Sequence, residues 1–235
     1  MGGEVGLLVD GVRHALALLF GGDGEVWAIL LLSLLVSASA TLISLLIGIP
    51  AGAALALSRF PGRGLVVSAV NTGMGLPPVV VGLFVTLLLW RSGPLGGWEI
   101  LYTPAAIVIA QAVIASPIVT GITLAAVGQV PRDFRLQLLA LGASRPQMVW
   151  MVLREARLPM LAAVMAGFGG IISEIGASMM VGGNIKGQTR TLTTAMVLET
   201  GKGNFDVAIA LSLLLLLLIF LVNWALTAIQ QRRIQ

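Results

Sequence analysis

PRDFRLQLLALGASRPQMVWMVLREARLP, residues 131 to 159, decides how this chain is read. The stretch carries Arg132, Asp133, Arg135, Arg145, Arg154, Glu155 and Arg157, with Gly142-Ala143-Ser144 at its centre. The apolar runs on either side are long enough to cross a bilayer. A membrane protein whose largest polar segment lies there offers that segment to something in the cytoplasm.

Composition fixes the solvent. Of 235 residues, 57% are hydrophobic and 10% charged, against about 25% charged in soluble domains. Four runs are uncharged: Val26–Ser58, Gly64–Trp90, Ile100–Val130 and Val207–Gln231. A fifth, Leu158–Ile185, carries only Glu174. A helical span needs about 20 apolar residues, and no run alternates as a barrel strand would. The expectation is an all-α membrane protein with five transmembrane helices and a cytoplasmic loop, 131–159, before the fourth. The transmembrane domain covers 23–231, and 232–235 form a cytoplasmic tail.

Charge placement orients it. Alternate loops hold Arg59, Arg63, Arg132, Arg135, Arg145, Arg154, Arg157, Arg232 and Arg233 with only Asp133 and Glu155. The other loops hold Arg13, Arg91, Lys186, Arg190 and Lys202 with seven acids. The positive-inside rule places the first set in the cytoplasm, so the N-terminus is outside and the C-terminus inside. These arginines flank the membrane without interleaved aromatics, which argues against nucleic acid. With no cysteine and one histidine, His14, the chain has no thiolate site or histidine cluster for a metal.

Residues 5–20 read as an amphipathic interfacial helix within an N-terminal unit 1–22. A signal peptide would want a basic start, and this one has Glu4 and Asp10. Gly48, Pro50 and Gly52 suggest a kink or an end to the first span. Pro77-Pro78 must break the second, because two prolines remove two donors and clash with the preceding turn. The third repeats the theme with Pro104, Gln111 and Pro117. Within 131–159, Asp133 can cap a short helix with an apolar face of Phe134, Leu138 and Leu141. Gly142 suits its C-terminal cap. Ser144 can cap a second helix with Pro146 in its first turn, closed by Leu158-Pro159. Such a pair is either an ordinary amphipathic connector or an element that docks in a partner's groove.

The chain resembles the membrane-spanning permease subunits of bacterial ABC importers, most closely those of tungstate uptake systems. The resemblance covers nearly the whole chain. It is carried by Leu57 to Arg63 (LSRFPGR), Asn71 to Gly82 (NTGMGLPPVVVG), Arg91 to Gly96 (RSGPLG), Gly142-Ala143-Ser144, and Met179 to Thr194 (MMVGGNIKGQTRTLTT). The last run continues to Glu199 and Lys202-Gly203-Asn204-Phe205. The superfamily's cytoplasmic Glu-Ala-Ala is replaced by Leu136-Gln137-Leu138.

The resemblance implies the type I permease fold and a non-catalytic homodimer in the inner membrane. Each copy would rest on a cytoplasmic ATPase that binds ATP and Mg itself, so this chain needs no cofactor. An extracytoplasmic protein would deliver the oxyanion. Arg135, Gln137, Leu138, Leu141, Gly142, Ala143 and Ser144 would then meet the ATPase, the lost acidic anchor shifting docking to Arg135, Gln137 and the apolar face. The alternatives are molybdate, sulfate or another oxyanion as cargo, or a secondary transporter or channel. No internal repeat favours the last class.

Other candidates keep two readings each. Asn71, Gly75, Pro77 and Pro78 line the pathway through exposed backbone N–H groups, or only bend the helix. Met179 and Met180 gate it, or fill an interface. Asn184, Lys186 and Arg190 form an outer mouth that concentrates anions, or solvate a loop. Glu174 is a poor ligand for a dianion, because like charges repel, and is read as an intramembrane brace. Nucleotide binding is excluded: GGNIKGQT, 182 to 189, has its lysine and glycine in the wrong order for a P-loop.

Overall fold

The computed structural model describes residues 6, 11–17, 21 and 24–231, and no strand occurs among them. Residues 11–17 form a helix, α1. The remainder of the expected interfacial helix and the tail 232–235 lie outside the described residues. Ten further helices follow: α2 (Gly24–Leu57), α3 (Arg63–Met74), α4 (Pro78–Leu89), α5 (Pro104–Gly128), α6 (Arg132–Ala140), α7 (Arg145–Glu155), α8 (Arg157–Ile172), α9 (Gly176–Gly182), α10 (Leu192–Gly201) and α11 (Phe205–Gln231).

By length and composition, Gly24–Leu57, Pro104–Gly128 and Phe205–Ala228 can each cross a membrane alone. Two bent pairs raise the number to as many as five: α3 with α4 at 101°, and α7 with α8 at 68°. The first is the break expected at Pro77-Pro78. Pro78 starts α4 in its first turn, where a missing N–H costs nothing.

Two expectations are corrected. The first span does not end at Gly48-Pro50-Gly52, because α2 runs through them as one helix of 34 residues. Those glycines serve contact instead. A Cβ on Gly48 would lie 2.6 Å from a Val119 methyl, and one on Gly52 would lie 2.5 Å from the Thr120 carbonyl oxygen. Their bare surface lets α2 and α5 pack backbone to backbone, as small residues do in lipid. The fourth span, conversely, is not one helix. α8 has 16 residues, about 24 Å at 1.5 Å per residue, which is short of the roughly 30 Å apolar core. It stops at Ile172, and α9 resumes at Gly176. Ser173 turns its hydroxyl back to the Gly169 carbonyl at 2.8 Å. Glu174 Oε1 accepts the Ala177 N–H at 3.0 Å. Such local bonds compete with helical ones.

The core is layered along the bundle. Val26, Ile29, Phe168, Ile172, Leu192, Leu211 and Leu214 pack at one end. Val36, Val81, Val85, Ile107 and Val181 pack between α2, α4, α5 and α9. Ala53, Val127, Val130, Val152 and Ala156 fix α7 beneath the other end. Three hydroxyls of α2 inside the bundle are satisfied within their own helix: Ser33, Thr41 and Ser44 each donate four residues back, as a solvent without hydrogen bonds favours.

Candidate functional site

The hairpin α6–Gly142–α7 is built by its caps. Pro131, not Asp133, is the N-cap of α6, and Asp133 sits in the first turn. At the far end the Gly142 N–H reaches the Leu139 carbonyl, and the Ala143 N–H reaches the Leu138 carbonyl, both at 3.0 Å. This paired motif needs a left-handed residue, and Gly142 supplies φ 88°. Ser144 then caps α7 in a capping box, and Gln147 Oε1 accepts the Ser144 N–H at 2.8 Å. α7 ends at Glu155, so Leu158-Pro159 belongs to the start of α8 rather than closing α7.

The apolar face divides. Phe134 packs against the bundle, while Leu138 is half-buried and Leu141 is 85% exposed. With Trp150, 67% exposed, Leu141 rims a cleft shared by Gly142, Ala143, Gln147 and Met151. Gln137 is exposed and Arg135 half-buried, with Arg135 Nε buried and unpaired.

The pathway candidates fall on two elements. Asn71, Gly75 and Pro77 are exposed at the α3–α4 break. The Gly75 N–H bonds the Thr72 carbonyl at 3.1 Å and the Leu76 N–H bonds the Gly73 carbonyl at 3.3 Å. The expected free N–H groups are therefore already used at these two residues. Pro78 leads α4 onto α9, where a Cβ on Gly82 would meet Ala177 Cα at 2.7 Å and Met180 Sδ at 3.3 Å. Met180 is half-buried there, and Met179 faces outward. A groove of about 980 Å³ between α2, α3 and α5 is lined by Ile43, Ile47, Val66, Val70, Val113 and Pro117, among others. An unpaired dianion would find little there to replace its water.

The loop from α9 to α10 is a hydrogen-bonded knot. Gly183, Asn184 and Gly187 have positive φ. Thr189 Oγ1 donates to the Gly182 carbonyl at 2.6 Å and accepts the Ile185 N–H at 2.9 Å. Thr191 caps α10. Asn184 Nδ2 donates to the Thr194 carbonyl at 3.3 Å, and Asn184 Oδ1 accepts from Arg190 Nε at 3.3 Å. Lys186 and Arg190 meet Glu25 at 2.7 Å and 3.7 Å. This loop is thus less positive than its two cations suggest.

Glu174 lies in the α8–α9 break. Besides its side-chain bond to the Ala177 N–H, its carbonyl accepts from Thr193 Oγ1 at 3.1 Å. Sequence reasoning named neither Glu25 nor Ser33, whose Oγ accepts the Leu192 N–H at 2.8 Å across 159 residues. In the sequence Gln111 marks only a polar position in the third span. The structure buries it against both α8 and α9. A first-turn acid and a lone amide in an apolar run were the available signals.

Beyond the spans, Lys202 and then Asn204 donate to the Glu199 carboxylate and hold its pKa below the usual value. Among the described residues, no group of three or more His, Cys, Asp or Glu could hold a metal ion.

Comparison with known proteins gives this architecture its family. Residues 44–235 match the model for the binding-protein-dependent transport system inner membrane component. A probable anion ABC transporter permease protein of Haloferax volcanii is 43% identical over 196 residues, 81% of this chain and 84% of that one. The tungstate uptake system permease protein TupB of Peptoclostridium acidaminophilum is 37% identical over 224 residues, 95% of this chain and 98% of that one. Among solved structures, the inward-facing MetNI methionine ABC transporter superposes with a TM-score of 0.71 at 22% identity, covering 88% of this chain and 94% of that one. The chain therefore belongs to the family of binding-protein-dependent transport system inner membrane components.

Proposed function

We propose that this chain is the permease subunit of an ATP-driven tungstate importer. The observation that carries the reading is full-length similarity to TupB proteins, with 37% identity to that of Peptoclostridium acidaminophilum and 36% to that of Campylobacter jejuni. The hairpin supports it physically. Leu141 and Trp150 are large apolar groups held out from the bundle on a capped turn, as a helix-in-groove contact requires. Two copies form the pathway between them, since the 980 Å³ groove within one copy is apolar.

In this reading the arginine-rich hairpin faces the cytoplasm and the α9–α10 loop faces outward, with the N-terminus outside and the C-terminus inside. A cytoplasmic ATPase grips each hairpin, binds ATP and Mg, and does the hydrolysis. The permease itself performs no catalysis. Closure of the ATPase pair pushes the hairpins together and opens the pathway outward to an extracytoplasmic tungstate-binding protein. Alternating access follows from biasing one two-state assembly with ATP.

A second cargo has its own support: the molybdenum transport system permease protein ModB of Escherichia coli is 34% identical over 72% of this chain. Tungstate and molybdate are tetrahedral dianions of similar size, so selection rests on the delivering protein. The test is binding of both anions to that partner, then ATP-dependent uptake by the reconstituted complex. Preference for molybdate by partner and complex would reassign the cargo.

A further inference from the structure

The chain path from the hairpin to the α9–α10 loop runs through the α8–α9 break, and one side chain from another helix ties both halves. Gln111, on α5, donates from Nε2 to the Ile171 carbonyl on α8 at 3.1 Å. The same nitrogen reaches Ser178 Oγ on α9 at 3.3 Å. Its orientation is unambiguous, because a carbonyl can only accept. The Ile171 carbonyl also receives the Ser173 N–H and, at 3.1 Å, the Glu174 N–H of the turn. Gln111 is 3% exposed, and Ile171 and Ser178 are buried with it. α5 packs tightly on α2 through Gly48 and Gly52, so the amide comes from a helix held closely against its neighbour.

The other half of that amide is unsatisfied. Gln111 Oε1 is buried with no hydrogen-bond partner, an arrangement native proteins seldom retain without a reason. Ser178 is its neighbour and carries a hydroxyl that can rotate. A small shift of α9 along α5 would let Ser178 donate to Oε1 instead of accepting from Nε2. Such a shift would give the site a second hydrogen-bonding state, differing from the present one in the position of α9.

We propose that Gln111 is the positioning residue of a hinge in the fourth crossing. It clamps α8 and α9 to α5 in the present state and exchanges its bond with Ser178 as α9 moves. The proposal rests on the transport reading, which supplies the alternation. A break held only by Glu174 and Thr193 would leave α8 free to swing with the hairpin while α9 stayed still. Hairpin movement would then be lost before it reached the loop beyond α9.

The chain has no cysteine, so Arg157→Cys and Gln188→Cys place one spin label on each side of the hinge. The labelled chain, diluted with unlabelled chain, is assembled with its ATPase and binding protein in proteoliposomes. Label distances are read without nucleotide and with ATP, and tungstate carried per ATP is measured alongside. Gln111→Leu is expected to broaden the nucleotide-free distance distribution and to lower tungstate per ATP at least fivefold, with ATP hydrolysis retained. Ser178→Ala removes one partner and little volume, so it remains informative if Gln111→Leu fails to assemble. It should broaden the same distribution and lower the ratio at least twofold. Wild-type distributions and ratios in Ser178→Ala, or in an assembled Gln111→Leu, would overturn the hinge. If the unmutated complex carried no anion with ATP, the transport reading would fail instead, and the nucleotide-free distances would still decide the clamp.

Discussion

Replacing Gly52 with alanine sets two effects of known size against each other. Alanine in a helix interior is worth about 1 kcal/mol over glycine. Against this, the new Cβ would stand 2.5 Å from the Thr120 carbonyl oxygen and 2.7 Å from Thr123 Cβ. Carbon–oxygen contacts settle at about 3.3 Å or more, so α2 and α5 must part by roughly 0.8 Å. A gap of that size forfeits about a quarter to a half of each dispersion contact along the seam. The obstacle is backbone and cannot swing aside, so the cost belongs near the upper end of the ~1–3 kcal/mol range for overpacking. The net loss is about 2 kcal/mol, or roughly 4–8 °C in apparent melting temperature for a chain of this size. Gly64→Ala is the control, because nothing lies within 4 Å of its Cβ position, and it should melt at or slightly above wild type. The assay is heating in detergent followed by size-exclusion recovery. If Gly52→Ala melted at or above wild type, the close approach of α2 and α5 would be wrong.

Four further outcomes follow from the same structure. Ser33→Ala strands the buried Leu192 N–H and should cost about 1–3 kcal/mol, read as lower thermal recovery, with Ser212→Ala as a comparison that strands no backbone donor. Glu174→Gln keeps an oxygen for the Ala177 N–H and should retain some transport, whereas Glu174→Leu should assemble poorly; equal assembly and uptake for Leu and wild type would reject the brace. Lys186→Gln with Arg190→Gln should slow uptake more at low salt than at high salt, and a salt-independent result would remove the anion-concentrating role. The Glu199 pKa is depressed by Lys202 and Asn204, so its contribution is present above the ordinary carboxylate range and lost as pH falls through the depressed value; the melting difference between wild type and Glu199→Gln should close on acidification, and a difference that grew would reverse the sign.

Proline and capping chemistry made much of this fold legible in sequence. Pro77-Pro78 broke the second crossing where two missing donors said it must. Gly142 and Ser144 ended one hairpin helix and began the next. The α8–α9 break was hidden because it has no proline; a hydroxyl, a carboxylate and the distant amide of Gln111 supply the alternative bonds, and only the folded bundle brings them together. Gly48 and Gly52 allowed an end to the span where α2 in fact continues. Glycine marks bends and close contacts alike, and only the position of α5 tells them apart. At the loop end, the Thr-rich run read as a family signature before its physical role was visible: Thr189, Thr191, Thr193 and Thr194 tie α9, α10 and the break into one unit. The partner of Lys186 and Arg190, Glu25, lay about 160 residues away in the chain, beyond any local pattern.

The proposed docking role of the hairpin has the sharpest single test. Leu141→Asp combined with Trp150→Asp removes the exposed apolar groups without touching the core, and truncating such anchors typically costs 2 kcal/mol or more, about thirtyfold in affinity. Purified wild-type chain should capture its ATPase and, with the binding protein added, drive ATP-dependent tungstate entry into vesicles, while the folded double variant captures little ATPase and drives none. Tungstate entry through the chain alone, without ATPase or ATP, would contradict the reading outright.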